Sequence, residues 1–488
     1  MKIAFNPKYT LKVDKGRTLL LPTDTMRSDD SINTSFDGII HPIHAMILSF
    51  ANGTLLDETI ANATQYLGVT DTYVRNFIVP LINNEEPVAV KYNNVLIVFP
   101  QNTIVTTENY NGKNYNPDIF IYDHLELRLA RHVTPTKITF MVTNRCVTNC
   151  FYCYADRRHK MDCQISLKRI FEVIDEARKL NVVEFDVIGG EFFLYKHWKE
   201  VLKKLYSNGY TPFLSTKIPI SEGDIIFLKE MGIIDLQISL DTLVPEHLKD
   251  ILNVTDDYLN RIKNALTLLN KYNIKIYIHT IINSKNDKIK DMSSIYEFIK
   301  DFRNIGYWRM DLVGTSAYLE NVSFEQIKYN ENNIGELKKF FSKISYNSSF
   351  PIIYNKIDNQ VEENFSKSEK EDKFNTRAGC SGNYSSLFIL PDGKVTICEE
   401  LYWHPQFILG DVTKQTIEEI WNSPKAINLY SIPQEDIPTE SSCSNCNIYE
   451  KCRSVKQVCY RDIVKEYGND KWYYPDVTCP KAPLVNKF

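Results

Sequence analysis

Residues 137–155 read KITFMVTNRCVTNCFYCYA. The first six, KITFMV, are an apolar run of strand length and composition. Three cysteines follow within eight residues, spaced C-x3-C-x2-C: Cys146, Cys150 and Cys153. A strand that empties into a thiol-rich loop is an unusual unit. Thiolates are soft ligands for zinc or iron–sulfur clusters. Three of them hold three irons of a 4Fe–4S cluster and leave the fourth open to a non-protein ligand. A zinc loop or a chance cluster fits the spacing taken alone.

Downstream, strand and helix signals alternate. Apolar strands are expected at 137–142, 182–188, 212–216, 234–240, 274–282 and 308–314, with helices at 167–180, 197–209, 225–232, 258–272 and 293–302. Repeated βα units imply an α/β fold with a parallel sheet or barrel, and six of them a partial (β/α)6 barrel. Such barrels place their chemistry in loops at the C-terminal strand ends, which is where the cysteine loop sits.

The other strand ends are polar too. The second ends in Gly189-Gly190-Glu191. Paired glycines let the backbone approach a ligand closely, and the carboxylate suits an ammonium group. The third ends in Ser215-Thr216. The fourth ends in QISLD, with Ser239 and Asp241 on one face by alternation, suited to a ribose or an amino-acid carboxylate. Asp241 reads equally as an N-cap, and Asn283 divides evenly between ligand and structural roles. Cys163 reads as a structural thiol.

Taken together, C-x3-C-x-Tyr-C (Cys146, Cys150, Tyr152, Cys153), GGE at 189–191 and the Ser239/Asp241 pair resemble the radical S-adenosylmethionine (SAM) enzymes. The resemblance covers roughly 135–320. Phe192 departs from it, standing where proline is usual. The resemblance implies that SAM chelates the open iron, Glu191 holds its ammonium, and Ser239 with Asp241 or Ser215 holds its ribose and carboxylate side. Tyr152 would lie near the adenine. Gly189 and Gly190 would let the loop close on the cofactor.

Seven of the eleven cysteines fall between 380 and 479, and none precedes 146. Clustered cysteine in a chain of 488 residues without a visible secretory signal points to metal rather than disulfides. The pattern Cys380, Gly393-x4-Cys398, Cys443-x2-Cys446-x5-Cys452-x6-Cys459, Cys479 resembles the SPASM domain of radical SAM maturases. The gaps 380–398 and 452–459 are longer than usual. The resemblance implies two auxiliary 4Fe–4S clusters, three clusters in all. Cys443, Cys446, Cys452 and Cys479 would ligate the outer one. Cys380, Cys398 and Cys459 would hold the inner one, whose open iron takes a substrate thiolate, a water or a non-cysteine side chain. Two zinc ribbons are the competing reading.

The first hundred residues predict an early hairpin over 11–21, then three helices. Pro42 would open the first, and a Thr54/Asp57 capping box the second. Val74, Phe77, Ile78 and Leu81 mark the third, whose end Pro80 obscures. A hairpin over 88–99 turns at Asn93-Asn94. Three helices and a hairpin make a winged-helix pattern. Eight Lys/Arg against ten Asp/Glu argue against nucleic acid. Before a SPASM-type enzyme, the pattern resembles a recognition element that binds a precursor's leader peptide by strand addition.

The expected organisation is a winged-helix domain at 1–105, a connector at 106–134, a radical SAM barrel at 135–320, a bridge at 321–376 and a SPASM domain at 377–488. The expected activity is a radical crosslink, thioether or C–C/C–O, in a ribosomally made peptide. A ferredoxin or flavodoxin would supply electrons. The runner-up is oxidation of a protein Ser or Cys in the manner of anaerobic sulfatase maturases. An iron–sulfur regulator acting on DNA is the reading from another class. A net charge of −4 and apolar runs too short for a bilayer predict a cytoplasmic protein with no membrane partner.

Overall fold

A computed structural model describes residues 1–23, 38–128, 130–156, 160–314, 316, 323–354, 372, 374–375, 379–402, 404–455 and 458–483. The chain forms two compact units, Met1–Thr134 and Pro135–Phe488. Part of the expected bridge at 321–376 lies outside the described residues. Among the described residues, no helix is long and apolar enough to cross a membrane.

The second unit is built on parallel strands: β1 (Lys137–Met141), β2 (Glu184–Ile188), β3 (Ser215–Thr216), β4 (Asp235–Ser239), β5 (Lys275–Ile282) and β6 (Ile305–Leu312). The six expected strands form, with moved ends. The third shrinks because Pro212 has no N–H and the Phe213 N–H goes to the Asp186 side chain, 3.3 Å away, instead of a ladder. Two further parallel strands were not foreseen. β7 (Ile352–Ile353) pairs with β6, and β8 (Ser386–Ile389) pairs with β1. β9 (Lys394–Thr396) and β10 (Gly410–Asp411) continue from β8 antiparallel. The two ladders run β2-β1-β8-β9-β10 and β3-β4-β5-β6-β7. Residues beyond 377 are therefore hydrogen-bonded into the barrel's own sheet.

Helices α1 (Leu167–Lys179), α2 (Trp198–Ser207), α3 (Glu222–Glu230), α4 (Pro245–Leu252), α5 (Tyr258–Lys271), α6 (Ile289–Ile299) and α7 (Glu331–Asn347) accompany the strands. α4 was not foreseen; it opens on Pro245 and closes on left-handed Asn253. Alternation divides each strand. Ile238, Ile278 and Trp308 pack into the large core with helix residues such as Ile262 and Phe341. The opposite face of β5 and β6 belongs to a separate cluster containing Phe213, Tyr277 and Tyr307.

The first unit contains the expected elements: a hairpin Tyr9–Asp14/Arg17–Pro22, helices Pro42–Ser49, Leu56–Leu67 and Asp71–Ile78, and a hairpin Val88–Tyr92/Val95–Phe99. Asn93 takes φ +51 at the second hairpin's turn. The capping box does not form. Leu55 is the N-cap, and the Thr54 hydroxyl lies 2.7 Å from that of Thr59 instead. Parts of the stretch read as a connector, 106–134, are tied into the first unit. Tyr115, Phe120 and Leu127 join the unit's core, and Arg17 donates to the carbonyls of Arg128, Ala130 and Arg131.

Candidate active site

The loop after β1 presents Cys150 buried and Cys146 and Cys153 half-buried, none of them in a disulfide. The Thr148 hydroxyl lies 3.2 Å from the Cys146 sulfur and 3.3 Å from that of Cys150. The N–H groups of Asn149 and Phe151 donate to Leu252 and Ile251 at the end of α4. That anchor fixes the loop, and it comes from the unforeseen helix. Burial raises the Cys146 thiol pKa. Metal binding must displace that proton. Among the described residues, no three His, Cys, Asp or Glu side chains converge on a single-ion site. A 4Fe–4S cluster has no such need, because each thiolate meets a different iron.

The glycines before Glu191 serve the loop directly. A Cβ on Gly190 would sit 2.4 Å from the Arg145 carbonyl oxygen and 2.5 Å from that of Asn144; one on Gly189 would sit 2.8 Å from that of Thr143. The Gly190 N–H donates to Thr143 O at 2.7 Å. The close approach read from sequence is thus made to the backbone entering the cysteine loop.

Glu191 is buried, and both its oxygens are engaged. Oε2 accepts from the Thr216 hydroxyl (2.8 Å) and the Lys217 N–H (3.2 Å), and Oε1 from the Phe193 N–H (3.3 Å). Burial pushes its pKa up to about 7, although these hydrogen bonds pull the other way. Ser215, the neighbour singled out from sequence, is exposed on the opposite strand face. Strand alternation gives the Glu191 contact to Thr216 instead.

Lys217 was missed. Its Nζ donates to Asp241 Oδ2 at 2.7 Å and to the Tyr152 hydroxyl at 2.5 Å. Tyr152 itself donates to the same Asp241 oxygen at 2.6 Å. Burial opposes the Lys217 ammonium and Asp241 overrides it, leaving the pKa well above the ordinary lysine value. One residue thereby joins the cysteine loop, the glutamate and the fourth strand end. The sequence offered only a basic residue directly after the polar Ser215-Thr216 strand end. Asp241 is not a helix cap; its Oδ1 accepts from the Ile281 N–H, 3.1 Å away. Ser239, half-buried, stands opposite His279 in the β4–β5 ladder. Asn283 is taken up by a local turn, donating to Ile281 O and accepting from the Lys285 N–H. Cys163 donates to Ile165 O at 3.6 Å.

Four of the seven later cysteines come together. Cys443, Cys446, Cys452 and Cys479 line one cavity of ≈ 110 Å³. Lys481 Nζ lies 3.4 Å from the Cys446 sulfur, and Arg453 reaches toward Cys443 at 3.9 Å. Four thiols and two cations suit an anionic iron–sulfur cluster. Cys380 and Cys398 approach through the tight loop at Gly382, whose Cβ would meet Ile397 O at 2.4 Å and the Cys380 sulfur at 3.5 Å. Cys459 opens the helix Tyr460–Tyr467. Burial raises all three thiols, Cys398 to about 12.

Residues 140–299 match the radical SAM superfamily, and residues 380–447 match the SPASM iron–sulfur cluster-binding domain. The chain is 27% identical over 172 residues to a probable GTP 3',8-cyclase of Pyrococcus horikoshii, covering 34% of this chain and 53% of that one. It is 25% identical over 162 residues to the Bacillus subtilis sporulation killing factor maturation protein SkfB, covering 32% and 38%. The chain thus spans about half the length of the first relative and less of the second. Among solved structures, Streptococcus suis SuiB bound to S-adenosylmethionine superposes with a TM-score of 0.61 at 14% identity, over 98% of this chain and 99% of that one. SuiB has also been solved bound to its precursor peptide SuiA.

Proposed function

We propose that this chain, a radical SAM enzyme with a SPASM domain, installs an intramolecular crosslink in a ribosomally made precursor peptide. The bond is a thioether or a C–C or C–O link. The observation that carries the reading is one compact unit holding both the Glu191–Lys217–Asp241 rim and a separate four-thiol cavity. The relatives supply the substrate class: SkfB is named for maturation of a killing factor, and SuiB binds a precursor peptide.

In this reading Cys146, Cys150 and Cys153 hold a 4Fe–4S cluster, and SAM bound there supplies the 5'-deoxyadenosyl radical. Glu191 accepts from the SAM ammonium. Ser239 and Asp241 face the ribose and carboxylate, with Lys217 as the nearby cation and Tyr152 beside the adenine. Cys443, Cys446, Cys452 and Cys479 hold an outer auxiliary cluster. Cys380, Cys398 and Cys459 hold an inner one with an open iron. The first unit takes the leader by strand addition, and a cytoplasmic ferredoxin or flavodoxin delivers electrons.

The test is mass spectrometry of the peptide encoded beside this gene after anaerobic incubation with reconstituted enzyme, SAM and reductant. Loss of two hydrogens, with fragment ions missing inside a ring, is the expected result. An unchanged peptide alongside reductant-dependent 5'-deoxyadenosine would overturn the crosslinking assignment.

A further inference from the structure

The interior face of β5 and β6 changes character along its length. Near the strand starts it is closed and apolar. Tyr277 and Tyr307 pack with ring centroids 4.5 Å apart, and Phe213 and Ile353 complete the layer. Two residues further on it becomes polar. His279 Nε2 lies 2.9 Å from Asp311 Oδ2, and Arg309 stands opposite His279 in the ladder. Both members of the dyad keep 24% of their side-chain surface exposed. The layer is therefore a cup, with an aromatic floor and a polar wall.

Height along the strands sets this wall apart from the other interior charges. Lys137 is the first residue of β1, and its ammonium is held by Glu184 and Asp186 at 2.8 Å each. That cluster pairs one ammonium with two carboxylates at the N-terminal end. His279 instead pairs across the ladder with Ser239, the last residue of β4. The dyad thus opens toward the rim that carries the SAM-directed motifs. A half-buried ionisable pair costs desolvation, and the floor shows that aromatic residues fill the barrel one layer below.

We propose that His279, oriented by Asp311, accepts the proton of the substrate group that bonds to the radical carbon. This rests on the crosslinking reading. With Nε2 engaged by Asp311, Nδ1 is the ring nitrogen left to take the proton. The balance closes as follows. The substrate C–H breaks homolytically, and its hydrogen atom goes to the 5'-deoxyadenosyl carbon. The partner X–H gives its proton to Nδ1 as the C–X bond forms. The remaining electron goes to an oxidised iron–sulfur cluster. His279 is the catalytic residue and Asp311 a positioning residue.

The test compares wild type, His279→Gln and Asp311→Asn as reconstituted full-length enzymes. The probe is the peptide encoded beside the gene, and the readout is crosslinked product per 5'-deoxyadenosine. Iron content and SAM affinity are measured alongside. The expected result is unchanged iron, SAM affinity and 5'-deoxyadenosine formation, with the product ratio falling at least about tenfold in His279→Gln and less in Asp311→Asn. A wild-type ratio in His279→Gln would overturn the proposal while leaving the crosslinking reading intact. So would equal loss of product and 5'-deoxyadenosine with lost iron, which marks a structural pair. A wild-type enzyme that cleaves SAM and leaves the peptide unchanged would overturn both.

Discussion

Lys217 Nζ lies 2.7 Å from Asp241 Oδ2, an ion pair between the ends of the third and fourth barrel strands. Asp241 is 1% exposed, so its charge is tolerated because Lys217 and Tyr152 face it. Lys217→Met strands that carboxylate. The expected loss is roughly 3–5 kcal/mol of stability, read by chemical denaturation of the metal-free protein. SAM affinity should fall with it. The double variant Lys217→Met/Asp241→Leu should recover most of the stability and none of the SAM binding. A Lys217→Met protein as stable as wild type would show that the pair is water-screened.

Glu191 sets a pH dependence whose sign follows from burial. Its folded-state pKa stands at about 7, above the ordinary carboxylate value. Between the two values the folded protein binds more protons than the unfolded one, so stability falls as pH rises through this window. The full effect is on the order of 3 kcal/mol. On the proposed reading, binding of the SAM ammonium would run the opposite way, since it would require the carboxylate. Denaturation midpoints of metal-free wild type should therefore drop from pH 5 to pH 8, and Glu191→Gln should flatten the slope. An equal slope in both proteins would place the titration elsewhere.

Gly190→Ala would put a methyl group 2.4 Å from a backbone carbonyl oxygen, which cannot move without the cysteine loop. Reconstituted protein should carry less iron than wild type, and SAM cleavage should fall on the order of 100-fold from displaced geometry. Wild-type iron with wild-type cleavage would mean that the loop yields freely.

The cysteines should separate by iron count. Cys452→Ala removes one wall of the four-thiol cavity. It should lower iron content and expose the C-terminal region to limited proteolysis, because a cluster held there, as proposed, would also stabilise the fold. Cys163→Ser keeps a donor for Ile165 O. It should leave iron, SAM cleavage and protease resistance unchanged. Iron loss in Cys163→Ser would make it a ligand.

The sequence by itself determined the α/β alternation, the six central strands and the order of the motifs along the barrel. These are local properties: apolar periodicity, turn residues and ligand spacing are written residue by residue. The SPASM resemblance implied Cys443, Cys446, Cys452 and Cys479 as one ligand set, and these four residues line one cavity. What the sequence could not decide was which neighbour faces which. Ser215 and Thr216 are equally polar, and only the strand's orientation turns Thr216 to Glu191. Lys217 looked like any lysine until folding brought Tyr152 and Asp241, 65 and 24 residues away, within reach of its ammonium. β7 and β8 were hidden because two to four residues carry too little pattern; their partners across the ladder define them. Burial, pairing and the pKa of Glu191 depend on contacts between distant segments, and those exist only once the chain has closed on itself.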